Sequence, residues 1–176
     1  MGEDVDRTEF SRQDRQRYRE KVRRCLDVFA RMLAESKFDF ERPQTGLEIE
    51  FNLVDEDQNP AMLNADVLTA IANDDFQTEL GQFNIEINVK PRGLSGSSII
   101  ELEQELRASL NDADERSRAL GAYIVMVGVL PTIDQEHLTG ESISANPRYA
   151  LLNEQIFAAR RSRCADPLRG PRRSAR

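Results

Sequence analysis

Apolar and polar residues alternate strictly between Gly46 and Val54. Leu47, Ile49, Phe51 and Leu53 point one way and Glu48, Glu50 and Asn52 the other, which is the two-residue period of a strand with one buried face. A second alternating run opens at Gln82, with Phe83, Ile85, Ile87 and Val89 set against Gln82, Asn84, Glu86 and Asn88. It is predicted to end at Pro91, which has no N–H to give a ladder. Residues 122–130 (Ala-Tyr-Ile-Val-Met-Val-Gly-Val-Leu) are apolar at every position, the pattern of a central strand covered on both faces, stopped by Pro131.

Helical spacing fills the gaps. Ser11 with Asp14 marks a start, and Tyr18, Val22, Cys25, Phe29 and Met32 recur at steps of four and three to about Ser36, a stripe that places Cys25 in a core. Asp55 to Pro60 reads as a turn and Asn64 to Asn73 as a short helix bearing Val67, Leu68 and Ile71. Ser98 with Glu101 offers a capping box before Ile99, Leu102, Leu106, Leu110 and Ala113, and Gly121 closes that helix. Asn146 and Pro147 open a last helix to about Ala159, striped by Tyr149, Leu152 and Ile156. Strands and helices in this order, without an internal repeat, predict an α+β protein with a largely antiparallel sheet flanked by helices.

Composition narrows the class. The 176 residues are 39% hydrophobic and 31% charged, enough for one folded domain and unlike a disordered chain. No apolar run approaches the roughly 20 residues of a membrane helix, and the N-terminus lacks a secretory plan. Asp6 breaks the myristoylation pattern after Gly2. These features predict a cytoplasmic protein with no membrane partner. Cys25 and Cys164 have no metal-ligand spacing and read as free thiols, and His137 is the single histidine. A catalytic metal would then be held by carboxylates, favouring magnesium or manganese over zinc.

Charge divides the chain. Residues 160–176 hold seven Arg, no Lys and one acid, Asp166, for a local charge of +6 within a net charge of −7, leaving −13 for residues 1–159. An acidic body argues against a nucleic-acid partner. The tail has no aromatic residue for stacking and is interrupted by Pro167, Gly170 and Pro171. Three readings stay open for it: an RNA-binding arm, a disordered terminus, or a segment foreign to the fold that precedes it.

The two polar strand faces carry the candidate chemistry. Glu48 and Glu50 project from one face about 6.5 to 7 Å apart along the chain. Glu86 stands between Asn84 and Asn88 on the other strand, and neither face contains a basic residue. A solvated face is one reading. The other is an oxygen-rich surface for hard cations that bridge phosphates, since a solvated face usually mixes Lys, Arg and Thr with its acids. Glu79 lies seven residues before Glu86, an odd spacing that puts the two on opposite faces of a continuous strand. Both reach one site only if the chain breaks between them, and Gly81 is the natural place.

Four blocks together resemble the N-terminal half of glutamate–cysteine ligase family 2 and related carboxylate-amine ligases: Thr45-Gly-Leu-Glu-Ile-Glu-Phe-Asn-Leu-Val54, Phe76-Gln-Thr-Glu-Leu-Gly-Gln-Phe-Asn-Ile-Glu-Ile-Asn-Val89, Val125-Met-Val-Gly-Val-Leu-Pro-Thr132 and Asn146-Pro-Arg-Tyr149. The resemblance runs to about Ala159. It implies a glutamine-synthetase-like catalytic fold whose curved antiparallel sheet holds magnesium ions against ATP. The implied reaction turns the γ-carboxylate of glutamate into an acyl phosphate that the amino group of cysteine attacks, the first step of glutathione-type thiol synthesis.

By the same resemblance Glu48, Glu50, Glu79 and Glu86 are candidate metal ligands. Asn84 and Asn88 are candidates to contact substrate or to support the ligands. Arg148 would bind a carboxylate or phosphate, or serve only as a surface residue at a helix start. Tyr149 reads as core packing and His137 as a solvated loop residue. Family members continue beyond this length, so residues 1–159 correspond to the N-terminal part of a catalytic domain. Residues 160–176 then read as a non-native continuation, as in a truncated or frame-shifted product. The alternatives are a ligase with another amine acceptor, or an inactive fragment that acts as an acidic metal- or protein-binding domain.

Overall fold

The computed structural model describes residues 9–38 and 40–160, so the Arg-rich segment lies outside the described residues beyond Arg160. Helix α1, Arg12–Ala34, opens on the expected cap: the Ser11 hydroxyl accepts from the Asp14 N–H at 3.1 Å, and the Asp14 carboxylate accepts from the Ser11 N–H at 3.1 Å. Its apolar stripe is not core. No residue of α1 is buried, Tyr18 is 69% exposed, and Cys25 is an exposed thiol rather than the core residue its spacing suggests. Periodicity creates an apolar face but does not determine what covers it. Near the end of the helix, edge-to-face contacts run from Phe29 to Phe38 and on to Phe40.

The remaining elements are strand β1, Gln44–Val54, helix α2, Asn64–Ile71, strand β2, Phe76–Thr78, strand β3, Asn84–Gly93, helix α3, Ser98–Arg118, strand β4, Tyr123–Val125, and helix α4, Pro147–Arg160. A single 3-10 turn, Gly140–Ser142, lies before α4. The strands form one antiparallel sheet in the order β2-β3-β1-β4, so the fold is α+β as the pattern predicts. Phe51, Leu53, Ile85, Ile87 and Phe76 cover one sheet face and pack with Val67 and Ile71 of α2 and Ala113 of α3. This burial of apolar area is the main force holding the layers together. Among the described residues no helix is long and apolar enough to cross a membrane.

Several boundaries differ from the pattern. Strand β3 starts two residues later than expected, because residues 82 and 83 belong to the preceding turn, and it runs past Pro91 to Gly93. Pro91 is tolerated because the register slips there: Thr45 faces Arg92 while Leu47 faces Val89, which sets Lys90 and Pro91 against Gly46 alone. A Cβ on Gly46 would sit 3.4 Å from the Pro91 ring. Helix α3 is capped by Ser97, not Ser98, and the Ser97 hydroxyl bonds the Glu101 carboxylate instead of the backbone. Gly121, at φ +78, turns the chain out of that helix as expected.

The largest correction concerns residues 122–130. Strand β4 is three residues long, lies at the sheet edge and is only half-buried, and Met126 and Val129 beyond it are 69% and 80% exposed. An apolar run without a period looks the same whether both faces are covered or the chain leaves the ladder after three residues. Among the described side chains of α4 the buried one is Leu151, one position before the expected Leu152.

Candidate functional site

The sheet face opposite the core carries Glu48, Glu50 and Asn52 on β1 and Asn84, Glu86 and Asn88 on β3. The antiparallel register sets them in three facing pairs, Glu48 with Asn88, Glu50 with Glu86, and Asn52 with Asn84. Directly opposed side chains of such a ladder start about 4.5–5.5 Å apart at Cβ, so two carboxylates placed this way repel each other. Glu86 is buried, and one of its oxygens accepts from Asn88 Nδ2 at 2.8 Å. Asn88 Oδ1 is buried without a hydrogen-bond partner among the described residues.

Glu79 joins this row through a chain reversal. Strand β2 ends at Thr78 and β3 begins at Asn84, with Gly81 in the turn between them, and Gln77 of β2 faces Glu86. Glu79 therefore shares the parity of Gln77 and lies on the Glu86 side of the sheet. Its side chain lies near enough to Glu86 and Glu50 to feel both. Burial first, then the neighbouring Glu86, then the charge of Glu50 raise its pKa, against a 3.0 Å bond from the Leu80 N–H that lowers it.

The turn is held by two buried polar residues that the sequence pattern does not single out. Asn64, at the start of α2, donates through Nδ2 to the carbonyls of Gly81 and Asn84, each at 3.2 Å, and to Ser144 Oγ at 2.8 Å. The Ser144 hydroxyl donates in turn to the Glu79 carbonyl. Gln82 Nε2 adds bonds to the carbonyls of Glu141 and Ile143 at 2.6 and 3.0 Å, fastening the loop before α4 to the same turn. The only cue to Asn64 is an amide at a helix start that also borders an apolar run.

Two hollows flank the row of carboxylates. One of about 620 Å³ is bordered by Glu48, Asp75, Gln77, Asn88 and Lys90, and another of about 270 Å³ by Glu50, Asn52, Asn84 and residues 126–128. Glu48 is exposed beside the first, one ladder step from the Glu50–Glu86 pair.

Arg148 is not part of the row. It is exposed at the start of α4, where its N–H donates to Asn146 Oδ1 at 2.9 Å. Tyr149 is more than core packing: its hydroxyl donates to the Thr78 carbonyl at 2.9 Å, next to Glu79, and burial, followed by the charge of Glu79, raises its pKa. His137 is only partly solvated. Its side chain is 18% exposed with Nδ1 2.9 Å from Asp134 Oδ1, and the ligand atoms of Asp134, Glu136 and His137 all lie within 4.8 Å of one another. Among the described residues that trio, not the glutamates, is the tightest group of possible ligands.

A family model described as glutamate-cysteine ligase family 2 matches residues 44–162. The match begins at the first residue of β1 and contains every glutamate and asparagine of the polar face, while α1 lies outside it. No curated protein and no solved structure matches the chain.

Proposed function

The chain belongs to glutamate-cysteine ligase family 2, and on that premise we propose that it serves ATP-dependent ligation of the γ-carboxylate of glutamate to the amino group of cysteine through an acyl phosphate. The coarser part, a ligase-type family joining a carboxylate to an amine, follows from membership. The choice of glutamate and cysteine is the proposal. One observation carries it to this face of the sheet: Glu50 and Glu86 oppose each other directly, and the neighbouring Glu86 helps to raise the pKa of Glu79.

That arrangement is costly without a cation. Four carboxylates share one face, the pKa of Glu79 is raised, and the Asn88 carbonyl oxygen is buried without a donor among the described residues. Hard divalent ions take oxygen ligands of this kind, so the donor set fits Mg2+ or Mn2+. Glu50, Glu79 and Glu86 would hold the ion, with Glu48 one ladder step away on the side of the larger hollow. When bound, the metal supplies neutralisation of the phosphoryl charge in transit from ATP.

The chain's own residues do the rest. A carboxylate is a poor electrophile, and phosphorylation gives it a leaving group that the amine displaces. A ligand carboxylate must be deprotonated, so the raised pKa of Glu79 couples metal binding to pH. Asn84 and Asn88 offer amides to orient substrate, and Arg148 offers a guanidinium for a carboxylate or phosphate.

The test is ADP and phosphate release by the full chain supplied with ATP, Mg2+, glutamate and a panel of amines. Release with glutamate plus cysteine above all other pairs supports the proposal. Release with another amine only would keep the ligase class and discard cysteine, and no release with any pair would discard the activity.

A further inference from the structure

Helix α1 is a basic element on an acidic chain. Seven Arg and Lys21 stand against Asp14, Glu20 and Asp27 within it, a charge of +5, whereas residues 44–159 carry −14. The helix is capped at its start, yet none of its residues is buried. The family match begins at residue 44 and leaves it out.

The charges are sorted around the helix axis. At about 100° per residue, Tyr18, Val22, Phe29 and Leu33 fall in one stripe. Arg19 and Arg23 flank it on one side, and Arg17, Lys21 and Arg24 on the other, while Glu20 and Asp27 occupy the opposite pole. Half or more of the surface of Tyr18, Phe29 and Leu33 is exposed. The five flanking cations have no ion-pair partner among the described residues.

We propose that α1 docks on a lipid surface bearing anionic headgroups, lying in its plane. The stripe enters the acyl boundary, with Phe29 joined there by Phe38 and Phe40. The flanking Arg and Lys stems run along the apolar layer and raise their charges to the phosphates, and the acids at the far pole stay in water. Among the described residues no helix is long and apolar enough to cross a membrane, so the contact is with the surface alone. The expectation of no membrane partner rests on the lack of a spanning run and does not bear on such a contact. This role of α1 is independent of the ligase reading.

Other occupants fit the helix less well. Two copies of α1 face to face set +5 against +5. The stripe from Tyr18 to Leu33 is about 22 Å long, and the apolar hollow beside α4, bordered by Leu138, Leu152 and Ile156, holds about 340 Å³, room for a few side chains and not for a helix. A nucleic acid would pair the cations and leave the stripe in water.

The chain contains no Trp, so Phe29→Trp places a single fluorescent reporter in the stripe. With vesicles of equal parts phosphatidylcholine and phosphatidylglycerol, the full chain should co-sediment and the Trp emission should shift to the blue. With phosphatidylcholine alone neither should happen, and added salt should release the bound protein. Val22→Glu, at an exposed position, should weaken binding tenfold or more with the Tm unchanged. Arg19→Gln combined with Arg23→Gln should weaken it by about tenfold or more, and Asp27→Gln at the opposite pole should not weaken it. No binding to either vesicle, equal binding to both, co-sedimentation with unmoved Trp emission, or full binding by Val22→Glu would each overturn the lipid contact. A lipid-free dimer that Val22→Glu dissociates would also overturn it, and would assign the stripe to a second copy of the chain.

Discussion

Glu50 stands directly opposite Glu86 in the β1–β3 ladder. Like charges in facing positions destabilise a sheet by about 0.2–1 kcal/mol, so the pair works against folding until a cation separates the charges. Glu50→Gln and Glu86→Gln should therefore melt at or slightly above the wild-type temperature in metal-free buffer, and Mg2+ should raise the Tm of the wild type but of neither variant. Turnover should fall by orders of magnitude, because the shape is kept and a negative ligand is lost. Normal Mg2+ dependence in both variants would remove these residues from the site.

The raised pKa of Glu79 makes a separate prediction. Its folded pKa is raised above the ordinary value of 4.5, mainly by burial and then by Glu86, so between the two pKa values the native state binds more protons than the unfolded chain. By linkage this group contributes full stability below its unfolded pKa and loses it as pH rises through the folded one. Metal-free wild type should lose Tm relative to Glu79→Gln as pH rises above 4.5. Mg2+ affinity of the wild type should rise over the same window, as the proton is displaced. Parallel Tm curves for the two proteins would show that Glu79 is not perturbed.

Much of this was legible in the sequence where a period met a chemical asymmetry. The alternation of β1 and β3 determines which residues share a face, and the antiparallel pairing then needs only a register to bring Glu50 to Glu86. The odd spacing of Glu79 called for a chain break near Gly81, and the turn between β2 and β3 lies there. What periodicity does not encode is the partner. The stripe of α1 looks like any core helix, yet Cys25 and Tyr18 are exposed. Residues 126–129 look like a buried strand but form an exposed segment tied to Asn52. The roles of Asn64 and Ser144 are not legible in the sequence, because a buried polar hub leaves no pattern along the chain; its partners are 17 to 80 residues away.

That hub should be sensitive. Asn64→Leu keeps similar bulk but removes the donors to the Gly81 and Asn84 carbonyls and to the Ser144 hydroxyl. Leaving buried acceptors unsatisfied costs about 1–3 kcal/mol, and urea unfolding should show a loss of at least that size. Asn64→Asp should be no better, since a carboxylate there faces carbonyl oxygens. A Ser144→Ala variant should lose Mg2+ affinity more than stability, because its hydroxyl bonds the Glu79 carbonyl directly. Unchanged metal affinity in Ser144→Ala would mean that the turn keeps its shape without this bond.

Gly81 connects the turn to the polar face more tightly than its backbone requires. Its φ is not among the positive ones, but a Cβ built on it would lie 2.6 Å from Asn84 Oδ1 and 3.0 Å from the Phe83 ring. Asn84 is not free to swing away, since its Nδ2 donates to Asn52 Oδ1 at 2.9 Å, and Phe83 is buried. Overpacking of this kind typically costs about 1–3 kcal/mol, and Gly81→Ala should lose that much stability together with substrate affinity. A double-mutant cycle with Asn84→Ala separates the two obstacles, because contacting residues give non-additive effects. If the Asn84 amide is what the methyl meets, the cost of Gly81→Ala should drop by half or more once that amide is gone. A cost that is the same in both backgrounds would assign the clash to the Phe83 ring, and Gly81→Ala should then weaken the core without disturbing the Asn84–Asn52 bond.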